Sequence, residues 1–119
     1  MQKTDLPNLR RLAKSGAIFF TKHSMEQMWS RGVKESDVKR ILSSDTNQLI
    51  EIQSPSSAEG KKHRDERDLV YDPNYAPDAI VVFSLLFSPT AEIRVITVEM
   101  PNEDIWIKDV TKDPALTRK

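Results

Sequence analysis

The sequence predicts an α+β fold in which two or three N-terminal helices pack on an antiparallel sheet. Up to residue 43 the apolar residues recur at helical spacing, whereas from residue 47 onward they form short runs or alternate as in strands. A chain of 119 residues, 38% of them hydrophobic and 30% charged, has room for one modest core. We therefore expect a single domain over residues 1–119, with its core at about 6–100 and a C-terminal tail at 101–119.

The first and the last of the three predicted helices come before and after the middle one in the chain. The first has Pro7 in its first turn and is closed by Gly16. Its apolar positions are Leu6, Leu9, Leu12 and Ala13. The last helix starts near Glu35, and its apolar positions are Val38, Ile41 and Leu42. Each helix has one apolar side, which must cover a face of the sheet.

The middle helix is predicted over KHSMEQMWSR, after a short strand or extended entry at 17–20. Thr21 is the candidate N-cap, and Gly32 is the candidate left-handed residue after the last turn. At about 100° per residue, one stripe of this helix contains Met25, Met28 and Trp29. We expect that stripe to face the core.

The remaining apolar segments predict strands that are separated by turn signals. In chain order these strands lie at 47–53, 69–71, 79–87 and 92–100, and the turns at 54–60, 72–73 and 88–90. The run AIVVFSLLF at 79–87 is the best candidate for a central strand, because eight of its nine residues are hydrophobic. It is expected to pair with 92–100 as an antiparallel hairpin.

Alternation within EIRVITVEM assigns the side chains of the last strand to two faces. One face is predicted to carry Ile93, Val95 and Thr97, and the other is predicted to carry Arg94, Ile96 and Val98. Pro101 ends the predicted sheet. In the tail that follows, Trp106 is the one strong packing candidate.

Composition and charge exclude several classes of protein. There is no cysteine, which excludes disulfides and thiolate metal sites, and no apolar stretch approaches the roughly 20 residues of a membrane helix. We expect a cytoplasmic protein with no membrane partner. The zero net charge argues against coating nucleic acid by bulk charge. However, residues 1–40 carry nine basic and four acidic residues (+5), and residues 41–119 carry nine basic and fourteen acidic residues (−5), so a local basic cleft is possible.

The polar side of the middle helix is the first candidate site. His23, Gln27 and Arg31 are spaced four apart and point away from the apolar stripe. His23 lies in the first turn, near unpaired backbone N–H groups and the positive end of the helix dipole, which favours bound phosphate. The alternative is that His23 caps or packs the junction and that the other two residues are ordinary solvated positions.

A second candidate site lies in KKHRDER, at residues 61–67. Its basic residues and histidine are Lys61, Lys62, His63, Arg64 and Arg67. RNA cleavage without a metal needs a base for the ribose 2′-OH, an acid for the leaving oxygen and cations for the phosphate, roles that suit histidine, lysine and arginine. The alternative is a solvated hairpin arm whose cations are neutralised by the neighbouring Asp65, Glu66 and Asp68.

The stretch FTKHSMEQMWSRGVKESDVKRIL resembles the start of a bacterial domain family of unknown function, domain 4258. The matching positions are Thr21, His23, Arg31, Gly32, Val33, Asp37 and Val38. Gln27 stands where the family usually has an arginine, and IRVITVEM resembles the family's last strand. Members of this family are often small toxins encoded beside MqsA-like antitoxins.

The order of elements over about residues 6–100 is similar to that of the MqsR messenger-RNA interferases of the RelE-like superfamily. This resemblance implies a RelE/MqsR-like fold and a ribonuclease toxin that is neutralised by a cognate, MqsA-like antitoxin. The family's catalytic glutamine falls near Arg67 here, its late lysine falls near Glu99, and its catalytic tyrosine has no secure equivalent. Any chemistry in this chain would therefore use a different set of residues.

The leading hypothesis is a toxin-type, metal-independent endoribonuclease that acts on messenger RNA, free or on the ribosome. The candidate catalytic residues are His23, His63, Arg31, Arg67, Arg94 and Tyr71, and the candidate RNA-binding residues are Lys61, Lys62, Arg64 and Gln27. We expect no metal ion and no cofactor, because two histidines and no cysteines leave little for a zinc site. The alternative is a non-catalytic interaction protein that binds a protein partner through its acidic C-terminal half.

Overall fold

The structure, a computed structural model, describes residues 5–53, 66–86 and 91–119. Within these ranges the helices are α1 (Leu6–Lys14), α2 (Lys22–Arg31) and α3 (Glu35–Ser43). The strands are β1 (Ile18–Phe20), β2 (Gln48–Gln53), β3 (Arg67–Tyr71), β4 (Ile80–Leu86), β5 (Glu92–Glu99), β6 (Trp106–Lys108) and β7 (Leu116–Arg118). The predicted turns at 54–60 and 88–90 lie outside the described residues. None of these three helices is long and apolar enough to cross a membrane.

β1 to β5 form a mixed sheet with the order β1-β5-β4-β3-β2. The prediction of a central strand is confirmed, because β4 lies in the middle and pairs antiparallel with β3 and β5. The predicted fully antiparallel sheet is wrong at one edge, where β1 pairs parallel to β5 with Ile18 opposite Ile93. Parallel partners are joined by long crossovers, so nothing in the local sequence around β1 indicates this pairing.

The sheet is covered on both faces. The three helices cover one face over a core that includes Leu9, Met28, Val38, Val81 and Phe83. On the other face, the β6–β7 hairpin packs against the sheet through Trp106, Ala115 and Leu116. The sequence indicated Trp106 as the one strong packing residue of this segment, and the burial of Ala115 and Leu116 was not predicted. The segment after Pro101 is therefore a second cover for the sheet.

The C-terminal hairpin is attached to β2 by polar bonds. Two nitrogens of the Arg118 guanidinium donate to the Glu51 carboxylate, Nε at 2.7 Å and a terminal nitrogen at 2.8 Å. The guanidinium also lies 4.7 Å from the ring centroid of Trp106. The Ala115 N–H donates to the Gln48 side chain at 2.7 Å. These contacts fix the hairpin across the sheet face that the helices leave open.

A β-bulge changes the two faces predicted for β5. The register between β4 and β5 shifts where Val82 pairs with Thr97 and Phe83 pairs with Val95, so an extra residue, Ile96, sits between them. Val98 therefore joins Ile93 and Val95 in the helix-covered core. The predicted faces of Thr97 and Val98 are therefore wrong, and each side chain lies on the face predicted for the other, because strict alternation fails at a bulge.

Thr21 joins β1 to α2. Its N–H donates to the Val95 carbonyl at 3.3 Å, and its hydroxyl donates to the same carbonyl at 3.0 Å. The hydroxyl oxygen also accepts from the Ser24 N–H at 3.1 Å, which confirms the predicted N-cap. Gly32, with φ 67°, ends the helix in the left-handed region as predicted. These bonds place α2 against the part of β5 that β1 leaves free.

The expectation that Met25, Met28 and Trp29 face the core together is wrong for two of them. Met28 is buried beside Ser24, whereas Met25 is 48% exposed and Trp29 is 89% exposed. The buried direction of α2 runs through Ser24 and Met28, and Trp29 is turned from Met28 by about 100°. The bonds of Thr21 set this rotation, because they pull Ser24 inward, where its hydroxyl donates to the Thr21 carbonyl at 2.8 Å.

Replacing Thr21 with valine keeps the shape of the side chain and removes its hydroxyl. We expect Thr21→Val to lower the free energy of unfolding by about 2 kcal/mol, because an N-cap and a bond to β5 are lost together. Thr21→Ser keeps the hydroxyl and should lose less than about half of that. Urea denaturation of the three proteins measures the difference, and equal stability of Thr21→Val and wild type would contradict this role.

Candidate active site

A cleft of about 850 Å³ opens between α2 and the chain that follows β5. α2 contributes His23, Gln27 and Arg31, and β5 contributes Thr97 and Glu99. The other lining residues belong to the connection after β5 and are Met100, Pro101, Asn102, Glu103, Asp104 and Ile105. The polar stripe predicted from its four-residue spacing thus lines one concave surface.

The polar stripe lines the cleft because α2 is rotated so that Ser24 and Met28 face the core. His23 is turned by about 100° from the buried Ser24, and the four-residue repeat keeps Gln27 and Arg31 on the same side. His23 and Arg31 are exposed, and Gln27 is half-buried. His23 also lies in the first turn of α2, where the helix dipole is positive. An anion that enters the cleft at this end meets the imidazole.

The opposite wall of the cleft was not foreseen from the sequence. Strict alternation placed Thr97 on one face with Ile93 and Val95, but the bulge in β5 turns it away from that face, together with Glu99. Glu103 and Asp104 follow in the segment that was predicted to be a C-terminal tail. The one sequence signal for this wall was the turn-forming, acidic stretch PNED directly after the last predicted strand.

The charges of the cleft are mixed. Among the described residues that line it, Arg31 is the one arginine or lysine, and it shares the cleft with the carboxyl groups of Glu99, Glu103 and Asp104. Arg31 takes part in none of the ion pairs between described residues, so its guanidinium is available to a ligand. Such a cleft suits a ligand with one anionic group and several hydrogen-bond donors better than a long polyanion.

Two groups of the cleft can take part in proton transfer. The His23 imidazole can donate or accept a proton, and the Glu99 carboxylate can accept one. The Gln27 amide and the Thr97 hydroxyl add neutral hydrogen-bonding groups. Across the described ranges, no group of three or more His, Asp or Glu side chains is placed to hold a metal ion.

Arg94 lies on the sheet face that also carries Thr97. It pairs with Ser84 on β4 and with Phe19 on β1, three residues before Thr97 along β5. At roughly 3.3 Å per residue this separation is about 10 Å, so Arg94 is a neighbour of the cleft and does not line it. Its Nε is buried and has no hydrogen-bond partner among the described residues.

Arg67 and Tyr71 are placed away from the cleft. Arg67 opens β3 opposite Gln53, and β4 separates it from β5. Tyr71 is fully buried, and its hydroxyl donates to Asp78. Burial, followed by the bond to Asp78, raises the pKa of Tyr71. Lys108 of the C-terminal hairpin lies 5.9 Å from the Tyr71 ring centroid, so this side chain helps to hold the hairpin on the sheet.

The second predicted cluster falls mostly outside the described residues, which include none of Lys61, Lys62, His63 and Arg64. The end of that cluster is described, and its half-buried Glu66 lies beside Asp68, which follows the cluster. Asp68 is 2% exposed, and burial, followed by the neighbouring Glu66 carboxyl, raises its pKa from 3.8 to about 7. One oxygen of each of these two carboxyl groups has no hydrogen-bond partner among the described residues.

Comparison of the chain with protein-family models, with curated proteins and with solved structures finds no match. The resemblance to toxin families therefore enters the functional argument as a proposal, beside the geometry of the cleft.

We expect Asp68→Asn to flatten the pH dependence of stability. The pKa of Asp68 is about 7 in the folded chain against an ordinary value of 3.8, so the folded state binds this proton more tightly than the unfolded state. The contribution of Asp68 to the free energy of unfolding should therefore fall as the pH rises from about 4 to about 7, by up to about 1.4 kcal/mol per pH unit, and level off above.

Urea denaturation at several pH values in this window measures the slope for wild type and for Asp68→Asn. The matched control is Asp45→Asn, because the Asp45 side chain is 87% exposed and should leave the slope unchanged. An equal slope in wild type and Asp68→Asn would contradict the raised pKa.

Proposed function

We propose that this chain is a toxin-type, metal-independent endoribonuclease that acts on messenger RNA and is neutralised by a cognate antitoxin. One observation carries the proposal. His23, Gln27 and Arg31 share a cleft with Glu99, so an acid, a base and a phosphate-binding cation face the same space. The resemblance of FTKHSMEQMWSRG and of the element order to toxin families supports the same reading.

The cleft supplies each role that cleavage by the ribose hydroxyl requires. Glu99 acts as the base that removes the proton from the 2′-OH, and the freed oxygen attacks the adjacent phosphorus. His23 acts as the acid that donates a proton to the leaving 5′ oxygen as the phosphorus–oxygen bond breaks. Arg31 stabilises the charge on the phosphate oxygens. The products are a 2′,3′-cyclic phosphate and a 5′-hydroxyl end.

The mixed charge of the cleft fits one nucleotide better than an extended strand. A nucleotide offers a phosphate to Arg31, while its ribose hydroxyls and base amino groups are donors for Glu103 and Asp104. Arg94 stands about 10 Å along β5 and can meet a neighbouring phosphate. We infer recognition of a short, exposed stretch of RNA, which agrees with the zero net charge of the chain.

The second candidate function is a non-catalytic interaction protein that binds a basic partner through its acidic C-terminal half. The observation that favours it is the acidic rim formed by Glu99, Glu103 and Asp104. In this case a lysine or arginine side chain of the partner would occupy the cleft, and His23 and Arg31 would frame it. Cleavage of RNA separates the two candidates, because the interaction protein has none.

The decisive experiment expresses the chain without an antitoxin and follows growth and RNA integrity. Wild type should slow growth and cut messenger RNA, with or without ribosomes. His23→Ala and Glu99→Gln should each lower the cleavage rate by about 10²- to 10⁴-fold, because each removes one proton-transfer group. Arg31→Ala should lower it to a similar extent through the loss of charge stabilisation.

Matched controls carry the same substitutions outside the cleft. Glu92→Gln changes a carboxylate at the other end of β5, and Arg11→Ala changes an exposed arginine of α1, so both should keep wild-type cleavage. A wild-type chain that neither slows growth nor cuts RNA would contradict the proposal that it is an endoribonuclease. Loss of cleavage in His63→Ala together with full activity of His23→Ala would indicate that the catalytic residues lie at 61–67 and not in the cleft.

The salt dependence of cleavage should be shallow. If Arg31 and Arg94 meet one or two phosphates, kcat/KM should fall with salt with a log–log slope of about −0.7 to −1.4. Kinetics on a short single-stranded RNA over a range of salt concentrations measure this slope. A slope steeper than about −3 would mean that a long phosphate track binds elsewhere on the chain.

A further inference from the structure

The side of α2 that faces away from the cleft carries an apolar groove of about 590 Å³. Met25, Met28, Trp29 and Val33 form its floor and wall. Trp29 is 89% exposed, which is unusual for so large an apolar side chain. The rotation of α2 set by Thr21 brings Met25 and Trp29 to this surface, so their exposure follows from the same bonds that place His23 in the cleft.

The groove continues toward the free edge of the sheet. A smaller pocket of about 230 Å³ lies beside it, lined by Ile18 and Phe20 of β1, and Glu35 borders both. β1 is the last strand of the sheet order, and α2 follows it directly. The strand edge and the groove therefore form one surface, which we call the β1–α2 surface and which consists of the residues lining these two pockets.

The backbone of β1 has groups available for a further strand. Ala17 accepts from the Ile93 N–H at 2.8 Å and Thr21 donates to Val95, so the odd-numbered residues of this segment face β5. The even-numbered residues point to the other side. The Ile18 and Phe20 carbonyls and the Phe20 N–H thus face outward, where the sheet order places no strand among the described residues. An exposed strand edge of this kind is a template for an added strand.

The charge around this surface indicates the kind of partner. Its charged lining residues are Lys22, Lys34, Lys39, Glu26 and Glu35, and the first forty residues as a whole carry +5. Lysines outnumber glutamates in this lining by one, and a second copy of the chain would bring the same excess of lysine against itself. An acidic segment would instead be attracted to the lysines at the rim.

We propose that the β1–α2 surface docks an acidic, extended segment of a partner protein. The segment adds to β1 as a further strand through the Ile18 and Phe20 backbone, and it places an apolar side chain in the groove beside Met25 and Trp29. The inference does not rest on the ribonuclease proposal, because the surface and the cleft lie on different sides of α2. It goes further by stating where and how a partner such as an antitoxin is bound.

The test selects peptides from a random-peptide display library against the full chain carrying His23→Ala, so that binding is measured without cleavage. The selected peptides should be rich in Asp and Glu and contain a large apolar residue. The synthesised consensus peptide should shift the fluorescence of Trp29, which is separable from that of Trp106 because Trp106 is buried. The Phe20 amide should gain protection from hydrogen exchange when the peptide binds.

Variants decide whether this surface is the one that binds. Trp29→Ala should weaken the consensus peptide at least about tenfold, and Lys34→Glu should weaken it further, whereas Val110→Ala, an exposed apolar residue of the C-terminal segment, should have no effect. Trp29 is so exposed that its replacement leaves the core intact. The proposal is overturned by selected peptides that are neutral or basic, by binding unaffected by Trp29→Ala, by no enrichment at all, or by a homodimer that protects Trp29.

Discussion

The structure depends on the bonds that Thr21 makes where β1 ends and α2 begins. Its backbone extends the pairing of β1 with β5, and its hydroxyl binds the Val95 carbonyl while capping α2. A helix fixed to a strand at its N-cap has little freedom to rotate, so Ser24 and Met28 are the residues that turn inward. The sides of α2 to the left and right of this buried line of residues are then both left at the surface. One side lines the cleft, and the other presents the exposed Met25 and Trp29.

Much of the fold was readable from the sequence, because helix periodicity, the Thr21 and Gly32 caps and the apolar run of β4 are local signals. The misses have non-local causes. The parallel pairing of β1 with β5 depends on a distant partner, and the bulge at Ile96 depends on how β4 and β5 meet. Likewise, the acidic wall of the cleft forms only because the chain after Pro101 turns back over the sheet, so its one local signal, the acidic turn PNED, does not show that it faces His23.

The C-terminal hairpin shows why a short, polar tail can complete a core. Trp106 and Leu116 bury apolar surface against the open face of the sheet, and Arg118 binds Glu51 while covering the Trp106 ring. The same segment provides Glu103 and Asp104 at the rim of the cleft, a few residues before Trp106. Packing of the hairpin and the shape of the acidic wall are therefore coupled. A change that loosens Trp106 also moves the carboxylates that face His23.

The placement of the cleft and the β1–α2 surface on one helix constrains how a partner could control the proposed cleavage. A segment docked beside Trp29 does not itself cover His23 or Arg31, because these residues lie on the other side of α2. Inhibition would need either a longer partner that reaches around α2 to the acidic wall, or a displacement of α2. Thr21 and Gly32 bound the helix, and the bonds of Thr21 to β5 oppose its movement. A rigidly held α2 favours the first route, in which the partner's reach, rather than a change of shape, closes the cleft.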